Sequence, residues 1–181
     1  MQRFSVQTRL ENDKVMLLPL EAADFEAVYI PASNPEVWNQ HPNKERWQRS
    51  VFENFFNGAL ESKGAFKIMD KKENLVIGCT RFYDYDQEDD SIYIGYTYFG
   101  KDHWGQGFNR EVKHLMLDYI FQYVSKVKLH IGAENYRSQS SIEKIGAVKI
   151  AEEKVAYFGE STKLNFLYLI EKEKWRKTKG A

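Results

Sequence analysis

Two glycines one residue apart, Gly105 and Gly107, precede an amphipathic stretch in the run 103–121, His-Trp-Gly-Gln-Gly-Phe-Asn-Arg-Glu-Val-Lys-His-Leu-Met-Leu-Asp-Tyr-Ile-Phe. A glycine turn feeding a helix gathers backbone N–H groups and the positive end of the helix dipole at one point. That point suits an anion such as a pyrophosphate. A P-loop needs Gly-x-x-x-x-Gly-Lys-Ser/Thr, and no Lys-Ser/Thr follows here. A dinucleotide site needs Gly-x-Gly-x-x-Gly, and Arg110 stands where the third glycine belongs. The plain alternative is a turn that starts a helix and binds nothing.

The elements that position this turn can be read from periodicity. In the helix after the glycines, Val112, Leu115, Met116, Tyr119, Ile120 and Tyr123 recur at three- and four-residue steps. Upstream, 15–20 reads as a strand. Residues 22–29 read as a helix carrying Phe25, Val28 and Tyr29, and 47–60 as a helix with Trp47, Val51, Phe55 and Leu60 on one stripe, stopped by Gly64. Three strands follow at 65–69, 75–82 and 91–99, the last two separated by the acidic turn 84–90. In the third, Ile92, Ile94, Tyr96 and Tyr98 alternate with Tyr93, Gly95, Thr97 and Phe99, so both faces are apolar, as in a central strand. Downstream come a strand at 127–131, a helix at 138–145 ended by Gly146, and strands at 147–157 and 164–170. The order is strand, two helices, three strands, helix, strand, helix, two strands. It describes a mixed α/β sheet in one domain over 1–181, with a charged, fraying tail from about 171.

Bulk composition narrows the function. Of 181 residues, 43% are apolar and 15% aromatic, enough for a full core. Lys+Arg and Asp+Glu balance at 26 each, which argues against a sequence-independent nucleic-acid partner. Cys79 is the sole cysteine, so an internal disulfide is impossible and a thiolate metal site is not expected. His103, His114 and His130 have no metal-ligand spacing, and no metal is expected. No apolar run is long enough to span a bilayer and the first residues lack a secretion signal, so the expectation is a cytoplasmic protein with no membrane partner.

The glycine turn resembles the pyrophosphate loop of the GCN5-related N-acetyltransferases (GNAT). It is closest to the branch that acetylates ribosomal-protein N-termini at alanine or serine, whose loop reads roughly Tyr-Trp-Gly-Lys-Gly-Tyr-Ala-Thr-Glu-Ala. Trp104, Gly105, Gly107 and Glu111 match outright, Gln106 and Phe108 are close substitutes, and Asn109 departs from the usual small residue. Leu17-Leu18-Pro19-Leu20 resembles the family's opening strand, with Leu18 for a common arginine. Val76-Ile77-Gly78 and Ile94-Gly95-Tyr96 resemble its third and fourth strands. Asn135-Tyr136-Arg137-Ser138, then Glu143-Lys144-Ile145-Gly146-Ala147, match Asn-x-x-Ser and Glu-Lys-x-Gly-Phe.

The resemblance implies a GNAT-like acyl-CoA N-acyltransferase fold that binds acetyl-CoA as co-substrate and passes its acetyl group directly to a primary amine, a protein N-terminus or a small molecule. The cofactor would lie on Tyr98, Phe99, Gly105, Gln106, Gly107, Phe108, Asn109, Arg110 and Asn135, with its pantetheine arm between strands 91–99 and 127–131. Ser138 would protonate the departing thiolate, or cap a helix. Asn135 would hold the arm or a water, or act as a cap itself. The family's glutamate position falls on Tyr157, which would order a water or serve as core. Glu152 and Glu153 lie nearby with facing open. The tyrosine acid of many relatives, seven residues after the asparagine, is Ile142 here. Trp38, His41 and Tyr83 are assigned to the acceptor side, and Arg110 to the phosphates or to solvent. The acidic run 84–90 would attract the amine or be a solvated turn. Freeing the amine at pH 7 costs roughly 1 kcal/mol for an α-amine and over about 4 kcal/mol for a lysine, so an N-terminus makes the lighter demand on a base. A non-catalytic acyl-CoA-binding module is the alternative, and the oligomeric state, a homodimer included, is open.

Overall fold

The computed structural model describes residues 4–179. Its elements are β1 (Leu10–Glu11), β2 (Val15–Pro19), α1 (Phe25–Ala32), α2 (Arg49–Glu61), β3 (Ala65–Asp70), β4 (Leu75–Asp86), β5 (Ser91–Phe99), α3 (Phe108–Ile120), β6 (Lys126–Gly132), α4 (Tyr136–Glu143), β7 (Val148–Val155), β8 (Lys163–Glu171) and α5 (Lys172–Lys179). The strands form one eight-stranded sheet in the order β1-β2-β3-β4-β5-β6-β8-β7. Every pairing is antiparallel except β5 with β6. The expected mixed sheet is therefore present, with two additions: the short β1, and α5 after the last strand.

Two apolar clusters cover the sheet, one on each face. On one, Val112, Met116, Leu117 and Ile120 of α3 pack on Phe82, Ile92 and Ile94. On the other, Val28 of α1 and Phe52, Phe55 and Phe56 of α2 pack on Cys79 and Tyr98. Each such side chain, fully buried, contributes about 1.5–3 kcal/mol by area removed from water. Burial pushes the Cys79 thiol up to about 12, so it behaves as a small apolar group.

The pattern in β5 changes face partway along. Cys79 pairs with Tyr98 and Arg81 with Gly95, so one residue of β4, Thr80, opposes two of β5, Tyr96 and Thr97. The extra residue is Tyr96, at φ +53°. Before the bulge, Ile92 and Ile94 face α3; after it, Thr97 and Phe99 take that face, and Tyr96 and Tyr98 turn toward α1 and α2. The simple alternation expected from the sequence fails here, because a bulge inverts the period-2 pattern. The Arg81 guanidinium, 3.5 Å from the centroid of the Tyr96 ring, packs against the residue that carries this uncommon backbone.

Other expectations also need correction. Trp47 precedes α2 and is exposed, so it is not part of that helix's stripe. Lys63, at φ +50°, turns the chain out of α2. Gly64 answers a different demand: a Cβ there would lie 2.1 Å from the Phe82 carbonyl oxygen. Of the run 84–90, residues 84–86 end β4 and 87–90 form the turn that the second of its two readings offered. Asp86 accepts the N–H groups of Glu88 and Asp89, and Asp89 pairs with Lys126 and Lys128, both at 2.6 Å. The tail folds as α5, because Trp175 buries its ring and donates to Asp118 Oδ1 at 2.9 Å. Residues 180 and 181 lie outside the described residues. Gly146, at φ +90°, ends α4 as expected. No helix among the described residues is long and apolar enough to cross a membrane.

Candidate active site

β5 and β6 are joined only at Ser91↔Lys126, Ile92↔Val127 and Tyr93↔Lys128. Beyond that, residues 94–99 and 129–132 line a cleft of about 540 Å³ between the two strands. Their outer edges stay paired with β4 and β8, so the inner edges keep open N–H and C=O groups along the cleft. An extended amide chain can add to such an edge as a strand does.

The glycine turn closes one end of the cleft. Gly105 is at φ +73° and Gly107 at φ +81°, a region where a side chain would be strained. Gly107 is the N-cap of α3, with no side-chain cap. The N–H groups of Phe108, Asn109 and Arg110 meet no acceptor among the described residues, although Glu111 N–H bonds to Gly107. These donors, with the helix dipole behind them, are of the kind that could hold an anion. Trp104 Nε1 donates to the Phe99 carbonyl at 3.0 Å, and the Arg137 guanidinium lies 3.9 Å from the centroid of its ring. Arg110, Arg137, Lys144 and Lys113 all line the cleft, and no Asp or Glu does among the described residues.

Aromatic rings and one buried ion pair shape the other end. The Tyr83 ring packs on both Tyr93 and Tyr96, and Tyr157 meets Tyr96 at 5.3 Å. Arg46 is 1% exposed and holds Glu160 Oε1 through Nε at 2.8 Å and Nη2 at 2.6 Å. Its Nη1 lies 3.2 Å from His41 Nε2. A guanidinium only donates, so Nε2 is an accepting nitrogen, while Nδ1 lies 3.0 Å from the Asn43 N–H and 3.2 Å from the Asn43 carbonyl. Burial first, and Arg46 second, hold the His41 imidazole well below its ordinary range. His41 is therefore neutral and its lone pair is occupied.

A GNAT acetyltransferase domain model matches residues 14–148. This chain belongs to the GNAT acetyltransferase family. An uncharacterized N-acetyltransferase p20 of Bacillus licheniformis is 32% identical over 117 residues, 62% of this chain and 65% of that protein. A GCN5-related N-acetyltransferase from Brucella melitensis superposes with a TM-score of 0.81 at 18% identity, covering 97% of this chain and 86% of that one. A spermidine N-acetyltransferase from Vibrio cholerae, solved with CoA and spermine, gives 0.68 at 20% identity, covering 91% and 99%. At these identities the superpositions speak for the GNAT fold alone.

Most residues singled out in the sequence line this one GNAT cleft: Trp38, His41, Tyr83, Tyr98, Phe99, Gly105, Gly107, Phe108, Asn109, Arg110, Asn135, Ser138 and Tyr157. Gln106 does not: its side chain turns back to the Asp102 carbonyl, and its own carbonyl takes Lys14 Nζ. The Tyr98 ring also points away, its hydroxyl donating to the Val28 carbonyl at 2.6 Å, so Tyr98 offers the cleft its backbone. Trp38 is core and donates to the Ala32 carbonyl at 2.7 Å. Asn109 Nδ2 donates to Ser141 Oγ at 2.8 Å and ties α3 to α4. Arg110 is at the rim, beside Glu111. Asn135 caps α4 by accepting Ser138 N–H at 3.2 Å, whereas Ser138 Oγ has no partner among the described residues. Tyr157 donates to Asn165 Oδ1 at 2.7 Å, and burial raises its phenol well above the usual range.

Sequence reasoning misses four groups. Arg46 and Glu160 are 114 residues apart and meet only in the fold. Lys113 sits on the buried face of α3, its Nζ 2.6 Å from Thr97 Oγ1, with burial lowering it from 10.5 to about 7. His130 lines the cleft and bonds Glu153 at 2.9 Å. Finally, Asp70, Glu73 and His103 bring candidate ligand atoms within 4.8 Å of one another, though sequence spacing points to no metal.

Proposed function

We propose that this protein passes an acetyl group directly from acetyl-CoA to a primary amine, with residues 1–181 forming one acetyltransferase domain. The observation that carries the reading is the gap between β5 and β6 running into the unpaired N–H groups of α3. Acetyl-CoA would supply an activated acyl carbon and a thiol leaving group. The N–H groups of Phe108, Asn109 and Arg110 would hold its pyrophosphate, with Arg110, Arg137 and Lys144 adding positive charge. The open edges of β5 and β6 would pair with the amides of its arm. The unpartnered Ser138 hydroxyl is suited to give the sulfur a proton.

The acceptor we favour has a single α-amine, as at a peptide N-terminus. A cleft lined with cations and without carboxylates disfavours a polycation such as spermidine. The loop's resemblance to the ribosomal-protein branch points the same way, and an α-amine needs the smaller deprotonation.

Titration calorimetry with acetyl-CoA, then thiol release with an unblocked peptide, its N-acetylated control, spermidine and an aminoglycoside, tests this. Binding, and release with the unblocked peptide alone, is expected. No heat at millimolar acetyl-CoA ends the reading. Binding with no release from any acceptor would favour the non-catalytic module.

A further inference from the structure

The amine must shed a proton, and no residue assigned so far can take it. Tyr157 is a donor held protonated by burial, His41 is engaged by Arg46, and the Glu160 carboxylate neutralises that same arginine. On the wall of the same cleft, His130 keeps a free lone pair.

His130 is on β6, two residues beyond the last rung of the β5–β6 ladder. Val127 and Leu129 face α3, so His130 takes the opposite face, on the side where the tyrosines and Arg46 gather. Its ring stacks on Tyr93 at 4.8 Å and 29°, which fixes its plane. Its Nε2 is 2.9 Å from Glu153 Oε2, reaching across β8 to β7. A carboxylate only accepts, so the proton of the neutral ring is on Nε2 and the lone pair is on Nδ1. Nδ1 has no partner among the described residues and is not sealed from solvent. The charged and titratable groups around the pair are Tyr93 from β5 and Lys128 on the same strand. Tyr93 is itself in the field of Asp84 and Asp89, and Asp89 already holds Lys128.

We propose that His130, oriented by Glu153, is the base that receives the proton of the acceptor amine; this rests on the function proposed above. Nδ1 takes a proton from the acceptor ammonium, and the imidazolium that results faces the Glu153 carboxylate. The freed lone pair forms the C–N bond to the acyl carbon. The C–S bond breaks with its electron pair on sulfur; the Ser138 hydroxyl gives the thiolate its proton and takes up the second amine proton in return. His130 returns its proton to solvent, so one ammonium and one thioester give one amide, one thiol and one proton. Glu153 is the positioning residue in this scheme: it sets the tautomer and fixes the ring's orientation.

His130→Gln and Glu153→Gln, assayed with acetyl-CoA and the unblocked peptide, test the proposal. For His130→Gln, kcat/KM at pH 7 should fall about a hundredfold or more, with the acetyl-CoA affinity from calorimetry unchanged. Its acid limb should move up to the amine's own titration near pH 8. For Glu153→Gln, kcat should fall roughly tenfold with the peptide KM and the acetyl-CoA affinity unchanged, because the ring keeps its place on Tyr93 but loses the carboxylate that sets its tautomer. An unshifted limb in His130→Gln, or an acetyl-CoA affinity that falls with the rate, overturns the assignment. Wild-type protein that binds no acetyl-CoA overturns the functional reading instead.

Discussion

Replacing Lys113 by Met should change the way stability depends on pH. Lys113 Nζ is buried beneath β5, has Thr97 Oγ1 as its hydrogen-bond partner, and has no salt-bridge carboxylate among the described residues. Burial lowers its pKa from 10.5 to about 7, so the folded protein disfavours the ammonium by about 5 kcal/mol, at about 1.4 kcal/mol per unit. The sign follows from proton uptake. Between about pH 7 and 10.5 the unfolded chain keeps the proton and the folded chain sheds it, so stability rises with pH through that window. Integrated from pH 7 to 9, the penalty shrinks by about 2 kcal/mol. Methionine fills a similar volume without a charge, and Thr97 keeps Thr80 as a partner at 2.8 Å. Urea denaturation of both proteins at pH 7, 8 and 9 should show Lys113→Met the more stable at pH 7, with its advantage narrowing by about 2 kcal/mol at pH 9. Cys79, Tyr83 and Tyr98 titrate in both proteins and drop out of the difference. An advantage that stays constant over those two units would show that Nζ keeps its water, and the reasoning would fail.

Other substitutions probe other parts of the fold. Gly107→Arg places a side chain at φ +81° on the cap of α3, and should weaken acetyl-CoA binding tenfold or more, roughly 1.4 kcal/mol, while the far-UV spectrum is retained; calorimetry at unchanged affinity would disprove the cradle. Glu160→Gln leaves the buried Arg46 charge uncompensated and should cost about 3 kcal/mol in urea unfolding, against near zero for a surface pair. Trp175→Ala should cost about 3–5 kcal/mol by the same measurement, and a loss below about 1 kcal/mol would mean that α5 is not docked.

Elements with a strong local signal are legible in the sequence itself. The glycine turn announces itself because only glycine enters φ > 0 freely, and α3 because its apolar residues repeat at helical spacing. The bounds of β5 are legible for a similar reason, its long aromatic and β-branched run. What is illegible depends on distance. His130 and Glu153 belong to strands separated in the sheet by β8, and sequence spacing holds no trace of that. Arg46 lies between the helices read at 22–29 and 47–60, where no apolar period marks it, although it is among the most buried side chains. The tail misleads because its mean character is charged, while a single tryptophan decides whether it docks.

One extra residue in β5 connects these observations. Without the bulge at Tyr96, the β5 pattern would continue unbroken, and Thr97 would face α1 and α2 with Gly95. With it, Thr97 meets Lys113 on one face while Tyr96 joins Tyr83 and Tyr157 on the other. The bulge lies in the same stretch where β5 leaves β6, so the place where the sheet opens is also where its side chains exchange faces. A sheet paired throughout would have backbone hydrogen bonds where the cleft now has free ones, and no room for an arm of amides. The uncommon φ at a tyrosine costs of order 1–3 kcal/mol. Arg81 on the Tyr96 ring, and the packing of that ring against Tyr83 and Tyr157, offset that cost, so the fold itself holds the bulge where β5 parts from β6.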